Sequence, residues 1–289
     1  MDIRFSASIH YKEQLNALFG HDLYKICIPY DLFYKNELSV DDIDRIHHEN
    51  GSKVYLVLPG ILRKRDDEYL ESLKDFLLLG KADGCLTKNL ETMVFLESLE
   101  EDLKAQYISI NGKVPDYTPL YLDSDHDMYC FNRSSLSFYR EHFDNVCAPL
   151  ELSVHELKEL NDTDLSIVIY GRARLMITAN CVKKTGGLCK SGKDSCNGRF
   201  ELMDRKNKAV PVFVNCIHCY NEIYNSVPTS LHKYMSDLIK SGFYDFRIDL
   251  TDESNEVISD LLEYYIEDFR SGRFPVDDYT AAHISKGVL

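Results

Sequence analysis

The chain has 289 residues, of which 44% are hydrophobic and 28% charged, enough apolar material for one core of barrel size or for two smaller ones. With 33 basic and 47 acidic residues its formal charge is -14, so the molecule as a whole repels polyanions, and no local basic patch dominates the sequence. The opening "MDIRFSASIH" holds Asp2 and Arg4 and no long apolar stretch; it is read as neither a signal peptide nor a membrane anchor, which predicts a cytoplasmic protein.

In chain order, β-branched and aromatic runs alternate with segments of helical spacing. The strand candidates are "IRFSAS" (3–8), "YKICIPY" (24–30), "KVYLVLP" (53–59), "GCLTKN" (84–89), "MYCFN" (128–132), "NVCAPLEL" (145–152), "LSIVIYG" (165–171) and "FYDFRIDL" (243–250). Between them, "SVDDIDRIHHE", "DDEYLESLKDFLLLG", "NLETMVFLESLEE", "SSLSFYREHF" and "SVHELKEL" place apolar residues at helical intervals behind capping residues. Near-continuous apolar strands alternating with amphipathic helices imply an α/β fold with a parallel sheet, and eight such units predict a single TIM-barrel-like (β/α)8 domain over 1–289, complete or modified. Two stretches break the rhythm. Residues 107–127 read as an irregular insertion, and residues 172–242, after the seventh strand, form a longer one that contains every clustered cysteine.

Five cysteines fall in that insert: Cys181, Cys189, Cys196, Cys216 and Cys219. No export signal accompanies them, so metal ligation is the better expectation than disulfides. Four thiolates suit zinc or an iron-sulfur cluster, and the spacing leaves both open, since only Cys216 and Cys219 make a C-x-x-C pair. Cys27, Cys85, Cys130 and Cys147 sit in apolar strand candidates and read as buried filler.

Beyond the thiols, H-E-x-x-H and Gly-x-Ser-x-Gly are both missing, and His47 and His48 fall on a helix read as exposed. A barrel carries its chemistry at the carboxyl ends of its strands, where Asn132, Glu151 and Arg172 fall. Arg172 is suited to gripping a carboxylate or phosphate in two-pronged fashion, and Glu151 to general-base work; mutual neutralisation of the two is the structural alternative. "LMDRKNKAVPVF" reads as a hairpin with a polar turn.

The segments "YGRARLMITANC", "ELMDRKNKAVPVFVNCIHCYNEIYNSVP", "DGCLTKNLETMVFLES", "MYCFNRSSLSFY" and "CAPLELSVHELKEL", over residues 80–250, resemble the signature regions of peptidase family U32, the collagenase-like peptidases. That resemblance implies a modified TIM barrel binding a 4Fe-4S cluster, zinc being the alternative metal. The implied ligands are Cys181, Cys189, Cys196 and Cys219, with Cys216 in reserve. It further implies oxygen-independent hydroxylation or modification of RNA or of a small aromatic substrate, with Arg172 and Arg174 suited to a dicarboxylate such as prephenate. Peptidase activity is the alternative, as is a non-catalytic, cluster-bearing subunit paired with a related family member. The chain departs from the family's classic Glu-x-Phe and Cys-Gly-x-Cys signature and carries the Tyr-Gly-Arg variant instead.

Overall fold

A computed structural model describes residues 2–63, 66–111, 119–160, 162–189, 198–269 and 272–287. The strands in chain order are β1 (Arg4–Ser8), β2 (Lys25–Pro29), β3 (Lys53–Val57), β4 (Gly84–Thr87), β5 (Tyr121–Ser124), β6 (Asn145–Val146) and β7 (Ser166–Gly171), then β8 (Arg174–Thr178), β9 (Gly198–Met203), β10 (Ala209–Asn215), β11 (Tyr220–Tyr224), β12 (Thr229–Ser230) and β13 (Asp245–Asp249). Most parallel strands are followed by a helix: α1 (Tyr30–Tyr34) and α2 (Val40–Glu49), α3 (Asp67–Leu77), α4 (Leu90–Asn111), α5 (Arg133–Arg140), α6 (Val154–Leu160) and, after β13, α9 (Asn255–Glu263). Within the insert lie α7 (Val182–Thr185) and α8 (Met235–Lys240).

Two sheets result. The larger runs β12-β7-β13-β1-β2-β3-β4-β5-β6, and every pair in it is parallel except β12 with β7. The smaller is antiparallel, β8-β11-β10-β9, and belongs entirely to the insert. The expectation of eight parallel strands holds as a curled sheet, but the full barrel ladder does not. Between β6 and β7 the contact shrinks to the single bridge Cys147–Ser166 and one hydrogen bond, Ala148 N–H to the Ser166 carbonyl at 2.9 Å. β6 is two residues long, too short to carry a ladder on both its edges.

Alternation of side chains along each strand separates two environments. Outward residues such as Ile26, Ile28, Val54, Leu56, Phe246 and Ile248 pack with the helices in one large core. Inward residues Cys27, Tyr55, Val57 and Leu86 form a separate small cluster, and the same face holds the buried polar residues Lys25, Asp123, Asp245 and Arg247. Lys25 Nζ meets Asp123 Oδ2 at 2.5 Å with both side chains almost wholly buried. The inside of the curl is therefore ionic as well as apolar.

The fifth strand differs from the sequence expectation. It is "YLDS" at 121–124, inside the stretch read as an insertion, whereas "MYCFN" forms a turn and loop leading to α5. An apolar-run criterion passes over β5 because Asp123 points into the ionic interior, and it selects 128–132, where Tyr129 and Phe131 are exposed. Cys27, Cys85, Cys130 and Cys147 are all buried free thiols. No helix among the described residues is long and apolar enough to cross a membrane.

Candidate functional site

Parallel strands share one carboxyl end, so the loops that leave them gather there. The loop after β1 brings His10, the start of α1 after β2 brings Asp31, the loop after β3 brings Gly60, and β4 ends beside Lys88. Asp125, His126 and Asp127 follow β5 in a 3-10 turn (His126–Met128), Arg172 follows β7, and Thr251 follows β13. The insert sheet contributes Arg174 from β8, Phe213 from β10, and Tyr220, Glu222 and Tyr224 from β11. These residues line a cleft in two compartments. The one beside β2, β3 and the insert encloses about 90 Å³, and it shares His10 and Lys88 with the one beside β5, β7 and β13.

Charge organises the second compartment. Asp125 is buried and accepts from Arg247 Nη2 at 2.5 Å, while His126 donates to the same carboxylate through Nδ1 at 2.8 Å and its backbone N–H at 2.7 Å. Burial opposes ionisation of Asp125, but Arg247 and His126 outweigh it and hold the carboxyl well below the usual carboxylate range. Arg247 also binds Asp249 at 2.7 Å. Burial likewise disfavours the His126 imidazolium, yet the carboxylates of Asp125 and Asp127 prevail and raise its pKa above the ordinary histidine value. Its Nε2 makes no hydrogen bond among the described residues and stands 3.8 Å from Asp127 Oδ1. Across the cleft a single guanidinium, Arg174, bridges Asp127 at 2.5 Å and Glu222 at 2.7 Å. Burial pushes Glu222 up, and Lys88 and Arg174 more than reverse it, so that carboxyl is held ionised.

The arginines are thus occupied. Arg172 spends Nε on Asp252 at 2.8 Å and Nη1 on the carbonyls of Ser226 and Asn225 at 2.5 and 3.2 Å, and Arg199 reaches the same Asp252 at 2.6 Å. Lys88 Nζ, by contrast, makes no hydrogen bond among the described residues and lies 3.7 Å from Asp125 Oδ2. Lys88 and His126 each keep a donor that no hydrogen bond among the described residues takes up. Aromatic faces complete the lining: His10 stacks on Phe213 at 5.2 Å, and Tyr11 and Tyr224 flank that ring at 5.9 and 5.1 Å.

Asp125, His126 and Asp127 also form the only group of three or more metal-capable side chains gathered within 4.8 Å among the described residues. Arg247, Lys88 and Arg174 already neutralise these carboxylates, so a divalent cation would enter against three positive side chains. The set is better suited to moving a proton.

Of the residues singled out from the sequence, Arg172 and Arg174 reach the cleft wall. Glu151 lies beyond it and does not pair with Arg172, whose partner is Asp252. Asn132 spends its side-chain oxygen on the Ser135 N–H as the N-cap of α5. His218 is buried between Asp66 (3.0 Å) and Asp31 (3.5 Å). Sequence reasoning missed Lys88, Asp125, His126, Asp127, Glu222, Arg247 and Asp249. For Asp125, Asp127, Arg247 and Asp249 the signal is the alternation in "LDSDHD" and "DFRIDL", where charges repeat every second residue; Lys88, His126 and Glu222 carry no such signal.

The metal expectation is corrected. Cys181, Cys189 and Cys219 are free thiols, Cys196 lies outside the described residues, and no cysteine, Cys216 included, joins a metal-capable group among the described residues. Cys181 precedes the short α7, whereas Cys219 sits in the β10–β11 turn with φ of 55° and its sulfur 3.8 Å from the Cys216 carbonyl oxygen. They serve separate local structures, so a 4Fe-4S or zinc centre on these ligands is withdrawn.

The comparisons also overturn the resemblance to peptidase family U32. No family model matches the chain, and no curated protein matches it. Solved structures that align over most of its length are of other kinds. A chitinase from Trichuris suis aligns with a TM-score of 0.46 and 10% identity over 95% of this chain and 97% of that one. A chitinase from Rhizomucor miehei gives 0.45 and 12% over 93% and 100%. The spore cortex-lytic enzyme SleL of Bacillus megaterium gives 0.38 and 10% over 86% and 70%. With the family go the hydroxylase, RNA-modification and peptidase expectations that it implied.

Proposed function

We propose that the chain is a hydrolase acting on a glycan chain bound in the two-compartment cleft, with His126 as the general acid and base. The observation that carries this reading is His126 itself, oriented by Asp125 through Nδ1 and presenting an unbonded Nε2 toward Asp127 at the carboxyl mouth. An imidazole with a pKa raised from its ordinary value supplies a proton at neutral pH and can take one back. As the glycosidic C–O bond breaks, Nε2 passes its proton to the departing oxygen. Water adds at the sugar carbon and returns a proton to the imidazole, so the step balances as hydrolysis. Asp127 and Glu222, both paired with Arg174, place carboxylates against the developing positive sugar carbon. Lys88 offers donors to ring hydroxyls, and the Tyr11 and Phe213 faces suit the C–H side of a sugar.

On this reading the curled sheet works as a (β/α)8 barrel with a thin seam at Cys147–Ser166, and the insert sheet is a cap over its mouth. A second reading, glycan binding without turnover, is favoured by the pairing of both carboxylates with Arg174, which leaves neither as a free carboxylic acid. Release of reducing ends from a panel of α- and β-linked oligosaccharides separates the two. Hydrolysis should fall by ~10²–10⁴-fold in His126→Asn, the range typical of a general acid–base residue, with binding retained. Binding without release in the wild type selects the second reading, and no binding of any member of the panel refutes both.

A further inference from the structure

The segment after the Asp125–His126–Asp127 turn carries two large aromatic side chains that the fold leaves uncovered. Tyr129 is 55% exposed and Phe131 is 44% exposed. Their rings are parallel within 9°, with centroids 5.9 Å apart. The backbone is committed to this display: Tyr129 has φ of 56°, a left-handed conformation unusual for a bulky residue, and closes the 3-10 turn by an N–H bond to the His126 carbonyl at 3.1 Å. The Phe131 N–H bonds the Tyr129 carbonyl at 2.9 Å, and Tyr139 Oη anchors the Met128 carbonyl at 2.7 Å from below. Strain held in place by neighbours beside a site is a mark of function rather than of stability.

The pair adjoins the cleft: Asp127, which lines it, precedes Tyr129 by two residues. Tyr129 lies near enough to Asp127, Glu151 and Arg174 for their charges to act on its phenol. We propose that Tyr129 and Phe131 form an outer binding platform, on which a sugar ring of the same glycan stacks when the chain is long enough to leave the mouth on the β5 side. This inference rests on the glycan reading above and deepens it: the preferred substrate is an oligomer, and Tyr129 and Phe131 select for its length.

A sugar face on an aromatic ring is a contact of the strength of an aromatic pair, so its loss weakens binding by roughly 3- to 10-fold per ring. The experiment is calorimetric titration of wild type, Tyr129→Ala, Phe131→Ala and the double variant with oligosaccharides of two to six sugars. Expected is a loss of ~10-fold or more in the double variant for the longest oligomers and none for the disaccharide. Tyr129→Gly adds a readout that a structural role does not produce: relief of the left-handed strain should raise the melting temperature while long-oligomer affinity falls. Equal binding of long oligomers by wild type and variants overturns the platform and leaves the glycan reading standing. Absence of binding to the wild type at every length overturns both. Concentration-dependent self-association of the wild type that Phe131→Ala abolishes, with oligomer binding unchanged, assigns the rings to a protein contact and overturns the platform.

Discussion

Replacing Lys25 by Met tests whether the ionic interior of the curled sheet is a structural necessity. Lys25 Nζ lies 2.5 Å from Asp123 Oδ2, with the side chains 4% and 2% exposed. Burial by itself would discharge the amine, but Asp123 and Asp245 outweigh it and keep Lys25 protonated. Removing one partner of such a pair costs about 3–5 kcal/mol, because the other is left as an uncompensated buried charge. Asp245 sharpens the effect by repelling the orphaned Asp123. At roughly 2–4 °C per kcal/mol for a domain of this size, Lys25→Met should melt roughly 6–20 °C below wild type. The orphaned carboxyl escapes by taking up a proton, so its folded pKa rises above its unfolded one. Stability lost in this way is lost as pH rises and regained as it falls, and the deficit should be smaller near pH 5 than near pH 8. Urea denaturation at both pH values, with equal slopes in the two proteins, measures it. The double variant Lys25→Met/Asp123→Leu should recover most of the loss, since a well-packed apolar pair replaces the ions at little net cost. A single variant within about 1 kcal/mol of wild type, or a double variant as unstable as the sum of the two singles, would refute the reasoning.

Two further outcomes follow from the cap and the strand ends. His218 sits at the β10–β11 turn between Asp66 and Asp31; burial disfavours its charge, but hydrogen bonding and attraction to Asp31 and Asp66 prevail and raise its pKa. Its stabilising charge is fully present below the ordinary histidine value of about 6.5 and is lost as pH climbs through the raised folded value, so wild-type stability should decline over that rise. In His218→Asn that slope should flatten by the share His218 supplies, His126 keeping its own, and amide exchange in β10 and β11 should accelerate at acidic pH; an unchanged slope would falsify this role of His218. Gly171 ends β7 with φ of 145°, and a Cβ there would stand 2.6 Å from the Asp249 carbonyl oxygen and 2.8 Å from Asp249 Cβ. Gly171→Ala should destabilise by about 1–3 kcal/mol in urea titration and displace Asp249 from Arg247; a loss below about 0.5 kcal/mol would show that β7 and β13 separate easily.

The parts of the fold legible in the sequence were those whose physical cause is local. β2, β3 and β4 announce themselves because one face packs on helices and the other, inside the curl, still carries apolar residues, as in Ile26-Cys27-Ile28. The start of α2 was legible for the same reason, Ser39 and Asp42 capping it reciprocally, whereas Asn132, read as the end of a strand, is the N-cap of α5. β5 was not legible, because its inward residue is an aspartate whose partner, Lys25, lies 98 residues away. A buried charge looks like a surface charge until its counter-ion is placed.

The same reason explains why the cysteines drew attention and the mouth did not. Thiols are rare and clustered, so five of them in one insert form a pattern that spacing alone makes visible, even where the fold sends Cys181 and Cys219 to different turns. The mouth is composed of common residues, and its chemistry comes from which of them remain unspent. Arg172 was conspicuous in the sequence, yet its Nε and Nη1 are committed to Asp252 and to two backbone carbonyls. Lys88 and His126 were inconspicuous, and they keep a donor facing the cleft because Arg247 and Arg174 have taken up most of the charge of Asp125 and Asp127. An arginine that neutralises a buried carboxylate is a poor ligand grip, since recruiting it exposes the carboxylate it leaves. A histidine held by that same carboxylate can bind, give up a proton and recover it without breaking any of those pairs. In such a mouth, the surrounding arginines matter for what they free as much as for what they hold.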